Sequence, residues 1–207
     1  MKPGRLQAFS DGVFAILITI LVLEFHVPAY RTGHLWTAVL HQWPILFAYI
    51  ISFLYVGTLW LFHHDYFNTI AQIDRGLNFV NLVVLFPITL VDYPTNLIAS
   101  ALASGNQSDM KTAFIIYDVV ALLISASFKL LYTYVNRHAT LRVKQAKHTK
   151  LHQKTKDDPL RSVAIYAIAL VVTPFSTWLG ALLLLAGIIF HTVAYFRLSR
   201  STKIVID

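Results

Sequence analysis

The residues with the most chemical potential fall into three short groups. Arg5, Ser10 and Asp11 open the chain, Trp60, His63, His64 and Asp65 follow, and Asn78 and Asn81 come shortly after. A carboxylate among imidazoles, a hydroxyl and a guanidinium can relay a proton, or it can sit in a hydrogen-bonded polar network. His63-His64-Asp65 also raises the question of a metal. Neighbouring helical residues diverge by about 100°, so adjacent histidines do not chelate one ion as an i, i+4 pair does. No His-Glu-x-x-His, Gly-x-Ser-x-Gly, P-loop or Ser/Lys dyad pattern occurs, and no cysteine is present. Zinc ribbons, iron-sulfur clusters, thiol catalysis and disulfides are thereby excluded. The expectation is no catalytic residue, no metal site and no cofactor.

The elements that carry these groups are read from composition. Of 207 residues, 57% are hydrophobic and 13% charged, with a mean hydropathy of +0.61. Soluble domains carry about 25% charged residues, so this chain lacks the polar surface to cover a water-soluble particle. A membrane-crossing helix needs about 20 mostly apolar residues. Six stretches qualify, over about 6–27, 36–62, 76–97, 113–135, 160–175 and 178–196. The last two form one apolar block with Pro174-Phe-Ser-Thr-Trp-Leu-Gly180 as a turn in its middle. The fold class is all-α, a polytopic membrane protein in one domain over 1–207. Lys2 and Arg5 precede an apolar run as in a signal peptide, but Glu24-Phe-His-Val-Pro28 offers no small-x-small cleavage site, so the first helix reads as retained.

Basic loops stay cytoplasmic. With six spans, every Lys and Arg except Arg31, Lys111 and Lys129 falls on the side of the two termini. Both termini are therefore expected in the cytoplasm, the chain being multi-pass in the cell membrane. The loop over 137–161 concentrates Arg137, Arg142, Lys144, Lys147, Lys150, Lys154, Lys156 and Arg161. It reads as a topology signal that meets anionic headgroups; with no aromatic platform beside it, nucleic acid is not expected as a partner.

Polar residues inside a spanning helix are costly and mark function or interhelical bonding. At about 100° per residue, Ile16, Ile20 and Leu23 form one stripe on the first helix, from which Ser10 and Asp11 point away. Arg5, Ser10, Asp11, Trp60, His64 and Asn81 read as one interhelical polar network, with Asp11 paired to Arg5 or to a neighbouring helix. Asp118 and Lys129 lie about 16 Å apart along the fourth helix and cannot pair; Lys129 snorkels, while Asp118 faces a neighbouring helix or water. Tyr55-Val-Gly-Thr58 falls in mid-helix and is not a carbonyl filter.

Arg5-x-x-x-Phe9-Ser10-Asp11, the Ile/Leu run behind it and Leu23-Glu-Phe-His-Val-Pro28 resemble the first helix of bacterial relatives of the lysosomal potassium channel. Trp60-x-x-His63-His64 and Asn78-x-x-Asn81 resemble the second and third helices of that family. The resemblance implies a homotetramer of six-helix subunits without the usual potassium filter. It also implies that the first helix lines the pore, with Ile16, Ile20 and Leu23 at the constriction. The implied function is a potassium-preferring cation channel, with K+ as permeant species and the bilayer and the chain's own copies as partners. The alternative is an intramembrane enzyme or proton-coupled carrier built on Asp11 and the helix-two histidines.

Overall fold

A computed structural model describes residues 3–142 and 158–202. Among the described residues every regular element is a helix, apart from an isolated antiparallel bridge between Ile70 and Arg142. Helix α1 runs Pro3–Ile20 and tightens into a 3-10 turn over Leu21–Glu24. A short α2, Leu35–His41, leads into α3, Trp43–Phe67, with a proline in the first turn of α3 where no helical N–H is needed. Next come α4, Arg75–Thr89, α5, Asp92–Ser104, and α6, Gln107–Arg137. Beyond 157, α7, Asp158–Val172, and α8, Thr177–Thr202, form a hairpin. Five helical stretches are long and apolar enough to cross a membrane, and Leu160–Val172 is a shorter apolar helix. The basic loop read over 137–161 lies outside the described residues from 143 to 157.

The boundaries follow local chemistry. Asp74 caps α4 by accepting the Leu77 amide at 2.7 Å, and Asn106 caps α6 by accepting from Ser108 and Asp109. Gly105, at φ 66, takes the left-handed conformation that ends α5. Where the sequence reads as one helix over about 76–97, the structure has two. Pro87 has no N–H to give to the preceding turn, and Leu90 and Val91 bond three residues back to Pro87 and Ile88. The expected turn around Pro174 falls between α7 and α8.

Packing divides the chain into a front and a back. Helix α1 rests on α3 and α4, while α6 contacts α4, α5 and α7, and α8 lies against α3 and α7. Leu6, Ser10, Phe14 and Leu21 are the buried face of α1, spaced at helical intervals. The opposite arc is open. Ile16 is 59% exposed and Leu23 70%.

Helices α7 and α8 approach closely because two glycines leave room. A Cβ on Gly187 would meet the Tyr166 ring, and one on Gly180 would lie 2.8 Å from the Thr173 backbone. Small residues permit such contacts between membrane helices. Gly180→Ala is expected to push the helices apart and cost about 1–3 kcal/mol, read as a lower thermal midpoint in detergent. Asp74, the residue ahead of α4, lies outside the spanning segments. The Leu77 amide, then the Tyr134 hydroxyl and the His138 charge, hold its carboxyl below the usual carboxylate range against a smaller opposing push from burial. Its cap therefore stabilises α4 above the unfolded carboxylate pKa and is lost as pH falls through the lower folded value. In an acid titration of thermal stability, Asp74→Ala should remove that part of the decline.

Candidate functional site

Polar groups from α1, α3 and α4 meet at the end of the bundle that carries the N-terminus. Deepest is Asn81, fully buried on α4. Its amide donates to Ser10 Oγ on α1 at 2.9 Å, and its carbonyl lies 2.8 Å from His63 Nε2 on α3. Ser10 has one proton to give, and the Leu6 carbonyl one turn back accepts it at 3.1 Å. A consistent chain runs from His63 Nε2–H to Asn81, from Asn81 to Ser10, and from Ser10 to the helix backbone. His63 is held by Phe67, stacked at 4.3 Å, and by Phe14, its other nitrogen being buried without a hydrogen bond.

Beside it lies a shallower group. Trp60 Nε1 donates to Asp11 Oδ1 at 2.8 Å, and His64 Nδ1 stands 3.5 Å from Asp11 Oδ2. Gln7 donates to Asn68 at 3.2 Å and lies 3.1 Å from that same His64 nitrogen. Nδ1 can accept from Gln7 when it is bare or donate to Asp11 when it carries a hydrogen, but it cannot do both. The side chains of His64 and Asp11 are 38% and 31% exposed, so water reaches this group.

The structure thus brings Ser10 together with Asn81, and Asp11 with Trp60 and His64, as two neighbouring sets. Arg5 belongs to neither. It is exposed, and among the described residues Asp11 takes its partners from α3 instead. Six residues separate Arg5 from Asp11, which on a helix is about 9 Å of rise and about 120° of rotation, so the guanidinium lies on the open face. Gln7 is the member that sequence reasoning passed over. Its position one turn before Asp11 was the available signal. Asn78 contributes to neither set.

The open face of α1 holds the aliphatic stripe. Ile16 and Leu23 lie fully on it, Ile20 at its edge, and small residues Ala8, Gly12, Ala15 and Thr19 fill the space between. The 3-10 turn over Leu21–Glu24 advances about 120° per residue, which sets Leu23 directly above Ile20. Thr19 turns its hydroxyl back to the Ala15 and Ile16 carbonyls.

No group of three or more metal-ligating side chains occurs among the described residues. The buried set is packed against the rings of Phe14 and Phe67. Helices this long and apolar, with polar groups spent on joining spans, define a multi-pass helical membrane protein. Comparison with known proteins is specific. The model of the endosomal/lysosomal potassium channel TMEM175 matches residues 5–91, which are α1 to the break after α4. A potassium channel of Chamaesiphon minutus is 31% identical over 200 residues, covering 95% of this chain and 94% of the relative. One of Streptomyces collinus is 42% identical over 137 residues, 66% of each chain. The crystal structure of a lysosomal potassium-selective channel TMEM175 homologue from Chamaesiphon minutus superposes with a TM-score of 0.78 at 29% identity, covering 93% of this chain and 97% of that one. The chain belongs to the TMEM175 family. That family and its bacterial members are ion channels, which sets aside the enzyme alternative.

Asn81 offers the sharpest perturbation. Asn81→Ala leaves Ser10 without its donor and His63 without its acceptor in a closed site, at about 1–3 kcal/mol for each stranded group. A thermal midpoint within a degree of wild type would mean that the three spans are not joined there. For the shallower set, Asp11→Ala and Trp60→Phe each break the same bond. Their effects on stability should therefore be sub-additive in the double variant.

Proposed function

We propose that the chain assembles as a homotetramer and conducts cations with a preference for potassium through a pore lined by four copies of α1. The observation that carries this reading is the open face of α1. A helix that faces only lipid has no need of small residues, whereas Ala8, Gly12, Ala15 and Thr19 allow close approach to another helix. Ile16 and Leu23 stand out from that small-residue floor with more than half their surface uncovered, as ring-forming side chains must in an isolated subunit. The naming of the relatives as potassium channels supports it too.

Ile16, Ile20 and Leu23 then form successive aliphatic rings. Such rings give a cation no ligand, so an ion passes only where the bore stays wet, and it passes partly dehydrated. Potassium holds its water less tightly than sodium, which sets the sign of the preference and keeps it modest. No carbonyl filter takes part: Tyr55-Val-Gly-Thr58 lies inside α3 with every backbone carbonyl in a helix. The two polar sets hold α1 at the rotation that points the stripe to the axis. In this reading both termini and the basic segment over 137–161 face the cytoplasm, where that segment meets anionic headgroups. Potassium is the permeant species and no cofactor is required.

Ile16→Asn tests the assignment. Four amides replace four apolar side chains in the narrow ring, so the barrier to wetting falls and sodium regains ligands. Larger currents with a weaker potassium-over-sodium preference are expected, read as a shift of reversal potential in asymmetric solutions. An unchanged reversal potential and conductance would remove Ile16 from the pore.

A further inference from the structure

A second polar assembly lies on the far side of α3, where none of the network just described reaches. Asp118, midway along α6, is fully buried. One of its oxygens accepts the hydroxyl of Thr173, the residue after α7, at 2.6 Å, and the other has no hydrogen-bond partner. Among the described residues Asp118 forms no ion pair. Lys129 of the same helix is exposed and about three turns away.

The surroundings are equally unsatisfied. Tyr55 of α3, Tyr166 of α7 and His191 of α8 form a triangle of rings with centroids 5.9 to 6.3 Å apart. The fully buried hydroxyls of Tyr55 and Tyr166 lie close to each other without completing a hydrogen bond, and Nε2 of His191 has no hydrogen-bond partner. Tyr166 feels Tyr55 most strongly, then Tyr117 and Asp118, and Tyr117 is itself satisfied through Ser52. Four helices thus direct stranded polar atoms into one region, each near the middle of its element. Apolar cores do not do this by chance, since stranded buried groups are rare and costly.

Two additions resolve the deficit. A proton on Asp118 removes the uncompensated charge, and buried water supplies the missing partners, since such waters typically make about three hydrogen bonds to otherwise unsatisfied groups. We propose that the centre of the α3, α6, α7 and α8 bundle is a hydrated proton-binding site, in which Asp118 is held in its neutral acid form and water links it towards Tyr166, Tyr55 and His191. The Thr173 hydroxyl, just past the end of α7, contacts Asp118, and Tyr166 of α7 feels its charge; Tyr117 is its sequence neighbour on α6, and His191 and Tyr55 stand beside Tyr166 from α8 and α3. All are neutral hydrogen-bonding groups, suited to hold a proton rather than a metal cation. The site is separate from the α1 stripe and does not depend on the chain being a channel.

Infrared spectroscopy of the purified protein in lipid bilayers at pH 7 tests this. The expected result is a protonated-carboxyl C=O band in wild type that is absent from Asp118→Asn. Thr173→Ala keeps the acid but removes a hydrogen bond to it, so the same band should move to higher frequency. That variant decides the matter if Asp118→Asn does not assemble. Exchange into H2(18)O should shift an O–H band in wild type and not in a Tyr55→Phe, Tyr166→Phe double variant. Absence of any carboxyl band sensitive to Asp118 or Thr173 at pH 7 would overturn the proton assignment, and absence of the water band would overturn the hydration.

Discussion

The side-chain amide of Asn81 fixes the geometry on which the rest of the front half depends. Its donor faces α1 and its acceptor faces α3, so one planar group ties three spans together at one depth. In a bilayer this matters more than apolar contact, because lipid competes for apolar surface on nearly equal terms while a stranded amide finds no substitute partner. Ser10 can meet Asn81 in only one rotation of α1. Ile16, six residues on, is then turned about 120° away and must face outward. The polar contacts and the open aliphatic stripe are thus two consequences of one rotational setting.

The two halves of the chain handle polar groups differently. In the front half the buried set closes on itself, from His63 through Asn81 and Ser10 to the α1 backbone. In the back half, hydroxyls from α3, α5 and α6 also close on one another through Ser52, Thr95 and Tyr117, but Asp118, Tyr55, Tyr166 and His191 do not. Packing of α7 onto α8 across Gly180 and Gly187 holds those side chains where they are. A frame with such tight contacts can keep polar atoms unpaired only if something else satisfies them.

The membrane class and the turn at Pro174 are readable from sequence, because polar residues stand out against apolar spans; the same signal gathers Ser10, Asp11, Trp60, His64 and Asn81 into one network, and only packing divides it into two sets. Of the two partners open to Asp11 from sequence, Arg5 or a neighbouring helix, the structure takes the neighbouring helix, because helical rotation places Arg5 and Asp11 on different faces. The division of the third span was hidden for a different reason. Pro87 is tolerated within many membrane helices, and nothing in the residue types around Leu90 demands that the chain stop turning. The back-half assembly was least legible. Tyr, Thr and His in apolar helices look like interfacial residues until packing shows that Tyr55 and Tyr166 have no access to any surface.

The absence of cysteine from the whole chain makes one measurement especially direct. A single cysteine placed on α1 would be the sole target of a water-soluble thiol reagent. Purified Ile16→Cys channels in a planar bilayer should carry potassium current that the reagent blocks, while Phe14→Cys, on the buried face of the same helix, should conduct and be unaffected. Block at Phe14→Cys with none at Ile16→Cys would contradict the account, because it would put the opposite face of α1 along the ion path.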